Sequence, residues 1–172
     1  MREATGDLPE RREIERLADA FCQRLPHAAP PIDIRALLRT AGVLGFVLAD
    51  IRASAILVGD ALEGFYMAIL NRDEHPYRHN FSLAHEAGHL VLTPHYRVHA
   101  RYLEQVAHRG GRDPVERACD YFAGCVLMPR ALVLEAAPLV SGSAQIARIF
   151  GVSRPAMQVR LRELGLHGLA RR

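Results

Sequence analysis

A membrane-spanning helix needs about 20 consecutive apolar residues, and no apolar run in this chain reaches that length. The first residues, Met1-Arg2-Glu3-Ala4-Thr5-Gly6-Asp7, lack the apolar core of a secretion signal. The expectation is a cytoplasmic protein without a membrane anchor. Cysteine is scarce. Cys22, Cys119 and Cys125 are odd in number and lack the close pairing of a zinc ribbon or a disulfide framework. They read as buried free thiols in a reducing compartment, with a metal role for Cys119 as the minor alternative. Lysine is absent, and all 22 basic residues are arginine. This is a compositional bias from which no function follows.

What is present is a normal globular composition, 49% hydrophobic, in 172 residues. That length suits one compact domain or one domain with a small appendage. Charge is uneven. Ser143 to Arg172 holds six arginines and one glutamate, a formal +5, against 16 arginines and 18 acids in the rest. The tail is basic and the body nearly neutral.

The chemistry is carried by Phe81-Ser82-Leu83-Ala84-His85-Glu86-Ala87-Gly88-His89-Leu90. His85 and His89 are four apart and share one helical face, so two imidazoles can converge on one ion. Glu86 follows His85 directly. This is the H-E-x-x-H pattern of zinc hydrolases. A catalytic zinc takes nitrogen, oxygen or sulfur donors and keeps one position open for water. It lowers the pKa of that water to roughly 7. Glu86 is then the general base that accepts the proton and returns it to the leaving amine. Gly88 costs about 1 kcal/mol of helix propensity against alanine, which points to a close neighbour.

A third ligand is needed. Asp113 caps and Pro114 opens a second predicted helix, with Val115, Ala118, Phe122 and Val126 on its apolar face. Glu116 and Asp120 lie four apart on another face. Alone, they read as a solvated acidic pair. Beside H-E-x-x-H, Glu116 is the candidate third ligand and Asp120 the acceptor for the free N–H of a liganding histidine.

These two segments resemble the ImmA/IrrE family of bacterial and phage metallopeptidases. The likeness covers the metal helix, Glu116 with Asp120, Phe122-Ala123 and Leu127-Met128-Pro129, and extends over roughly residues 14 to 166. Two departures stand out. The family more often has Ala-Asn at Cys119-Asp120, and often a His soon after the metal helix, where Thr93-Pro94-His95 stands here. The resemblance implies a zincin-like α+β fold, Zn2+ on His85, His89 and Glu116, and a helix-turn-helix repressor as substrate. Cleavage of that repressor relieves repression in a mobile element, a prophage or a stress response. IrrE-type members carry a sensor domain further on, for which this chain leaves no room, so its trigger is expected to come from elsewhere.

Taken in order, residues 1–12 are expected to be frayed. Ile14, Leu17, Ala18, Phe21 and Leu25 predict a helix from about Glu10 to Leu25, ended by Pro26. Asp33 caps a short helix closed by Gly42. Leu44–Asp50, Ala53–Val58 and Phe65–Leu70 predict a small, mostly antiparallel three-stranded sheet packed on helices. An edge strand of such a sheet holds substrate backbone in zinc peptidases, and here the second or third strand is the candidate. The metal helix is predicted over Tyr77–Leu92, with Pro94 as its stop. Arg78 and His79 are substrate contacts or solvated residues of its first turn. The tetrahedral intermediate needs a donor, and Tyr96, His95 and Tyr121 are the candidates.

The domain reading is a metallopeptidase-like body over 1–140 and a helix-turn-helix-like segment over 141–172. In the latter, Ser143 caps one helix, Gly151 turns the chain, and Ser153 caps a second. The segment is short and shows no third helix of its own. Arg154, Gln158, Arg160 and Arg162 on that second helix are candidates for nucleic-acid or partner contact. Two functions follow. One is a zinc metallopeptidase that cuts a repressor. The other is a non-catalytic, peptidase-like regulator acting through partner docking or a weak DNA contact of its basic C-terminal helices.

Overall fold

The computed structural model describes residues 9–60, 64–96 and 114–172. Helix α1 (Arg11–Cys22) buries Ile14, Leu17, Ala18 and Phe21 along one face. It stops three residues short of Leu25. Helix α2 (Ile34–Arg39) starts where the Asp33 carboxylate accepts from the Ala36 amide at 3.0 Å. The cap satisfies one of the open amides of the first turn.

Strands β1 (Val43–Ala49), β2 (Ala55–Asp60) and β3 (Phe65–Asn71) form one sheet in the order β1-β3-β2. β2 and β3 make the expected antiparallel hairpin, but β1 runs parallel to β3. The sheet is therefore mixed, with antiparallel pairing on one side only. The chain leaves β1, passes round the C-terminal end of β3, where Ser54 accepts from Asn71 and Ala49 from Arg72, and continues as β2 on the far side, which leaves the centre for β3. A strand paired on both sides cannot accept a substrate strand. That excludes the third strand and leaves β2 as the edge that packs on the metal helix.

The start of β1 is held tightly against the hairpin end. Gly42 has φ +89°, and a Cβ there would overlap the Gly64 carbonyl. Its own carbonyl accepts from the Tyr66 amide at 2.9 Å. The register turns Val43, Ala68, Leu70, Ala55 and Leu57 toward the helices. Val47, Ile56, Val58, Phe65 and Met67 stand exposed on the other face.

Helix α3 (Pro76–Tyr96) crosses beside β2 and β3 and packs along α4 (Pro114–Leu127). It runs to Tyr96 rather than stopping before Pro94. A proline in the last turn removes only one of the final amide bonds. α4 buries Ala118, Cys119, Phe122, Ala123, Val126 and Leu127. Phe122 meets Phe21 of α1 with ring centroids 5.9 Å apart. Asp113, the expected cap of α4, lies outside the described residues.

The α3–α4 contact is closest at Gly88, where an added Cβ would lie 3.0 Å from the Cys119 Cα. Replacing Gly88 by alanine gains about 1 kcal/mol of helix propensity, but overpacking against backbone costs about 1–3 kcal/mol. A net loss is expected. Tm in a thermal melt should fall by about 2–4 °C for each kcal/mol lost. Metal affinity should weaken with it, because the two halves of the site are pushed apart.

After α5 (Arg130–Ala136) and a 3-10 turn over Ala137–Leu139 come α6 (Ser143–Phe150), α7 (Arg154–Glu163) and α8 (His167–Arg171). Gly151, with φ +62°, joins α6 to α7, and the Ser153 hydroxyl accepts from the Ala156 amide at 3.3 Å. Ser143 does not cap α6. Gly142 holds the cap position, and the buried Ser143 hydroxyl accepts from Arg154 Nε at 3.1 Å. The short α8 supplies a third helix that the sequence did not reveal. No single helix among the described residues is long and apolar enough to cross a membrane.

Candidate metal centre

Helical period sets the site. His85 and His89 stand one turn apart on α3, facing Glu116 and Asp120, one turn apart on α4. The two imidazole Nε2 atoms lie 3.1 Å from each other. Glu116 Oε2 is 3.2 Å from His85 Nε2, and Glu116 Oε1 is 3.3 Å from His89 Nε2. The ligand atoms of all three residues fall within 4.8 Å of one another.

The outer ring nitrogens are also engaged. His85 Nδ1 is 2.9 Å from Asp120 Oδ1, so its N–H donates to the carboxylate and leaves the Nε2 lone pair facing inward. His89 Nδ1 lies 3.6 Å from the buried Cys119 sulfur. A metal role for Cys119 is only the minor expectation. The position of Cys119 on the face that meets His89 follows from the α3–α4 contact at Gly88, a glycine that signals a close neighbour without saying which.

The residues fit a divalent cation. Glu116 Oε1 is buried and has no hydrogen-bond partner among the described residues. Two Nε2 atoms 3.1 Å apart share at most one proton comfortably, and a cation between them resolves the contact. Two nitrogens and a carboxylate are the three-ligand donor set of a catalytic zinc site, in which the fourth position belongs to water.

Electrostatics agree with this arrangement. Burial alone would lower the His85 pKa, but hydrogen bonds to Asp120 and Glu116 outweigh it and raise it to about 9. Burial alone would raise the Glu116 pKa, but the two histidines hold it at about 2. Burial pushes the Glu86 carboxyl up, against the pull of His89 and His85. The carboxylates of Asp120 and Glu116 thus favour positive charge at His85, the charge that a bound cation would supply.

Two opposite pH trends are expected. His85 has its folded pKa near 9 against 6.5 unfolded, so its contribution to metal-free stability is complete below 6.5 and lost as pH rises through 9. Glu116 contributes above 4.5 and loses its share as pH falls through about 2. Metal affinity runs the other way, rising about tenfold per pH unit up to about 9 as the competing proton is removed. Melts of chelator-treated protein and metal titrations across that range check both.

His79 is buried, and its Nε2 lies 2.6 Å from the Asn71 carbonyl, where it ties the end of β3 to α3. It is neither a substrate contact nor a solvated residue. Arg78 reaches Ser54 Oγ at 3.4 Å and Glu74 at 3.8 Å. The Tyr121 hydroxyl donates to Glu15 of α1 at 2.8 Å, so its proton is committed there. His95 and Tyr96 end α3, and their side chains lie outside the described residues.

On α7, Arg162 is exposed. Arg154 bonds Ser143 and the Arg172 carbonyl, and Gln158 reaches Ser143 at 3.4 Å. Arg160 is 1% exposed, with Nε donating to the Met128 carbonyl at 3.1 Å. The expectation that Arg160 meets nucleic acid or a partner is corrected. Its guanidinium is interior, because α7 packs that face on α4.

A family model described as an IrrE N-terminal-like domain, Peptidase_M78, matches residues 51–162. Among solved structures, a Mycobacterium tuberculosis transcriptional regulator is similar at a TM-score of 0.55 and 16% identity. The match covers 87% of this chain and 46% of that one. The chain therefore spans about half the length of that regulator, and the likeness is one of fold. No curated protein matches the chain.

Proposed function

The chain belongs to the IrrE N-terminal-like family, and from that premise we propose a zinc-dependent endopeptidase that cuts a helix-turn-helix transcriptional repressor and so relieves repression. The observation that carries the reading is the meeting of His85, His89 and Glu116, from two separate helices, in one cluster of ligand size. Support for a regulatory setting comes from the fold shared with a protein described as a transcriptional regulator. Acting on a DNA-bound repressor places the enzyme in the cytoplasm.

The roles follow from position. His85 and His89 offer their inner nitrogens, and Glu116 offers its carboxylate. Asp120 fixes the His85 ring, and the Cys119 sulfur lies against the outer nitrogen of His89. Zinc, which such a donor set favours, supplies a Lewis acid and an acidified water when bound. Glu86, beside His85 on α3, takes the proton of the attacking water and delivers it to the departing amine nitrogen. The β2 edge, packed on α3, holds the substrate backbone by strand addition.

The test is incubation of the zinc-loaded chain with small helix-turn-helix repressors of the same genome, beginning with any encoded in a neighbouring reading frame. Two fragments are expected by mass spectrometry, and none after chelation. Repressors all left intact by zinc-loaded protein would remove the proposal.

A further inference from the structure

Beside the metal centre lies a cavity of about 840 Å³ that α3, α4, α6 and α7 wall together. Its apolar lining includes Phe81, Met128, Ala147, Val152 and Val159. Its charged lining is dominated by Arg11, Arg78, Arg117, Arg148 and Arg154, all exposed. The acids on its wall are Asp120 and Glu163, and both are engaged. Asp120 accepts from His85, and Glu163 lies 3.5 Å from Arg160. Arg117 and Arg148 make no ion pair among the described residues.

The groove adjoins the cluster on α3 and α4. Asp120 bonds a metal-site histidine and lines the groove, and Arg117 follows Glu116 directly. Helix α7 forms one wall of this groove, through Arg154, Ala156 and Val159.

We infer that this groove is a docking site for an acidic, apolar-rich segment of the protein substrate, with its apolar side chains on Met128, Val152 and Val159 and its carboxylates on Arg117 and Arg148. This rests on the peptidase reading. Charge complementarity sets the occupant, since an apolar floor under guanidinium groups that have no ion pair among the described residues suits leucine-like and carboxylate side chains together. A nucleic-acid backbone would leave the apolar floor unused.

The experiment uses the full chain loaded with zinc and carrying Glu86→Gln, so that a bound peptide stays whole. The probe is a labelled short peptide alternating leucine with glutamate, followed by fluorescence anisotropy, with a lysine version as its control. The glutamate peptide should bind, weaken with salt, and lose about tenfold or more in affinity when Arg117→Glu and Arg148→Glu are combined. Thermal melts and zinc content of that variant should match the parent. Equal binding of the lysine peptide, binding unmoved by the charge reversal, or displacement of the peptide by duplex DNA would each overturn the inference. In parallel, the double reversal is made on the chain that keeps Glu86, and repressor cleavage is followed. Cleavage at the full rate despite the reversal defeats the docking site alone, and a parent chain that cuts nothing defeats the peptidase reading.

Discussion

Replacing Glu86 by glutamine should lower repressor cleavage by roughly 10²–10⁴-fold, the range of general acid–base catalysis, while zinc content stays at the parent level. The amide keeps the size of the carboxylate and can still orient a water, but it cannot take up a proton. The inner nitrogens and the Glu116 oxygens that form the cluster are untouched by the change. Burial pushes the Glu86 carboxyl upward, which brings its basicity closer to the working pH and makes the loss larger than for an ordinary surface carboxylate. Cleavage rate and metal content measured on the same preparation decide the matter. A variant that loses zinc assigns Glu86 to holding the ion, and one that keeps its rate removes it from the chemistry.

The site was legible because its parts are local. Four-residue spacing puts His85 and His89 on one face whatever the rest of the fold does, and the same spacing pairs Glu116 with Asp120. Capping signals likewise marked α2 and α7, through Asp33 and Ser153. What could not be read depends on partners far along the chain. The parallel β1–β3 pairing is set by how the chain crosses the sheet, and strand-like patterning in Leu44–Asp50 is the same for either direction. His79 looked solvated because its partner is a backbone carbonyl eight residues earlier, at the end of β3. Cys119 looked inert because its neighbour His89 is 30 residues away. Arg160 was misjudged for the same reason. An arginine on a basic helix is ordinarily at the surface, and only the tertiary arrangement of α1, α4 and α7 encloses this one.

Arg160→Met should destabilise the chain by about 3 kcal/mol and lower Tm by about 6–12 °C. The guanidinium joins three helices. Nε donates to the Met128 carbonyl, and Nη1 lies 3.7 Å from Glu15 and 3.5 Å from Glu163. Its centre lies 5.9 Å from the Tyr121 ring centroid. Methionine fills much of the volume but strands these acceptors. The expected loss sits at the low end for a broken buried pair. Glu15 and Glu163 keep 29% and 18% of their side-chain exposure, and Nη1 has no hydrogen-bond partner among the described residues. Burial already pushes the Glu163 carboxyl up, with Arg160 pulling it back. Without Arg160 its folded pKa rises further above the unfolded value. The variant's deficit should therefore shrink as pH falls and Glu163 takes up a proton, and widen as pH rises again. Arg160→Lys keeps the charge but loses the fork that serves Met128 and the two glutamates at once, so it should fall between parent and methionine. A methionine variant as stable as the parent at neutral pH would mean that burial of the guanidinium costs as much as its partners return. The attachment of α7 to α4 would then rest on Met157, Leu161 and their apolar neighbours alone.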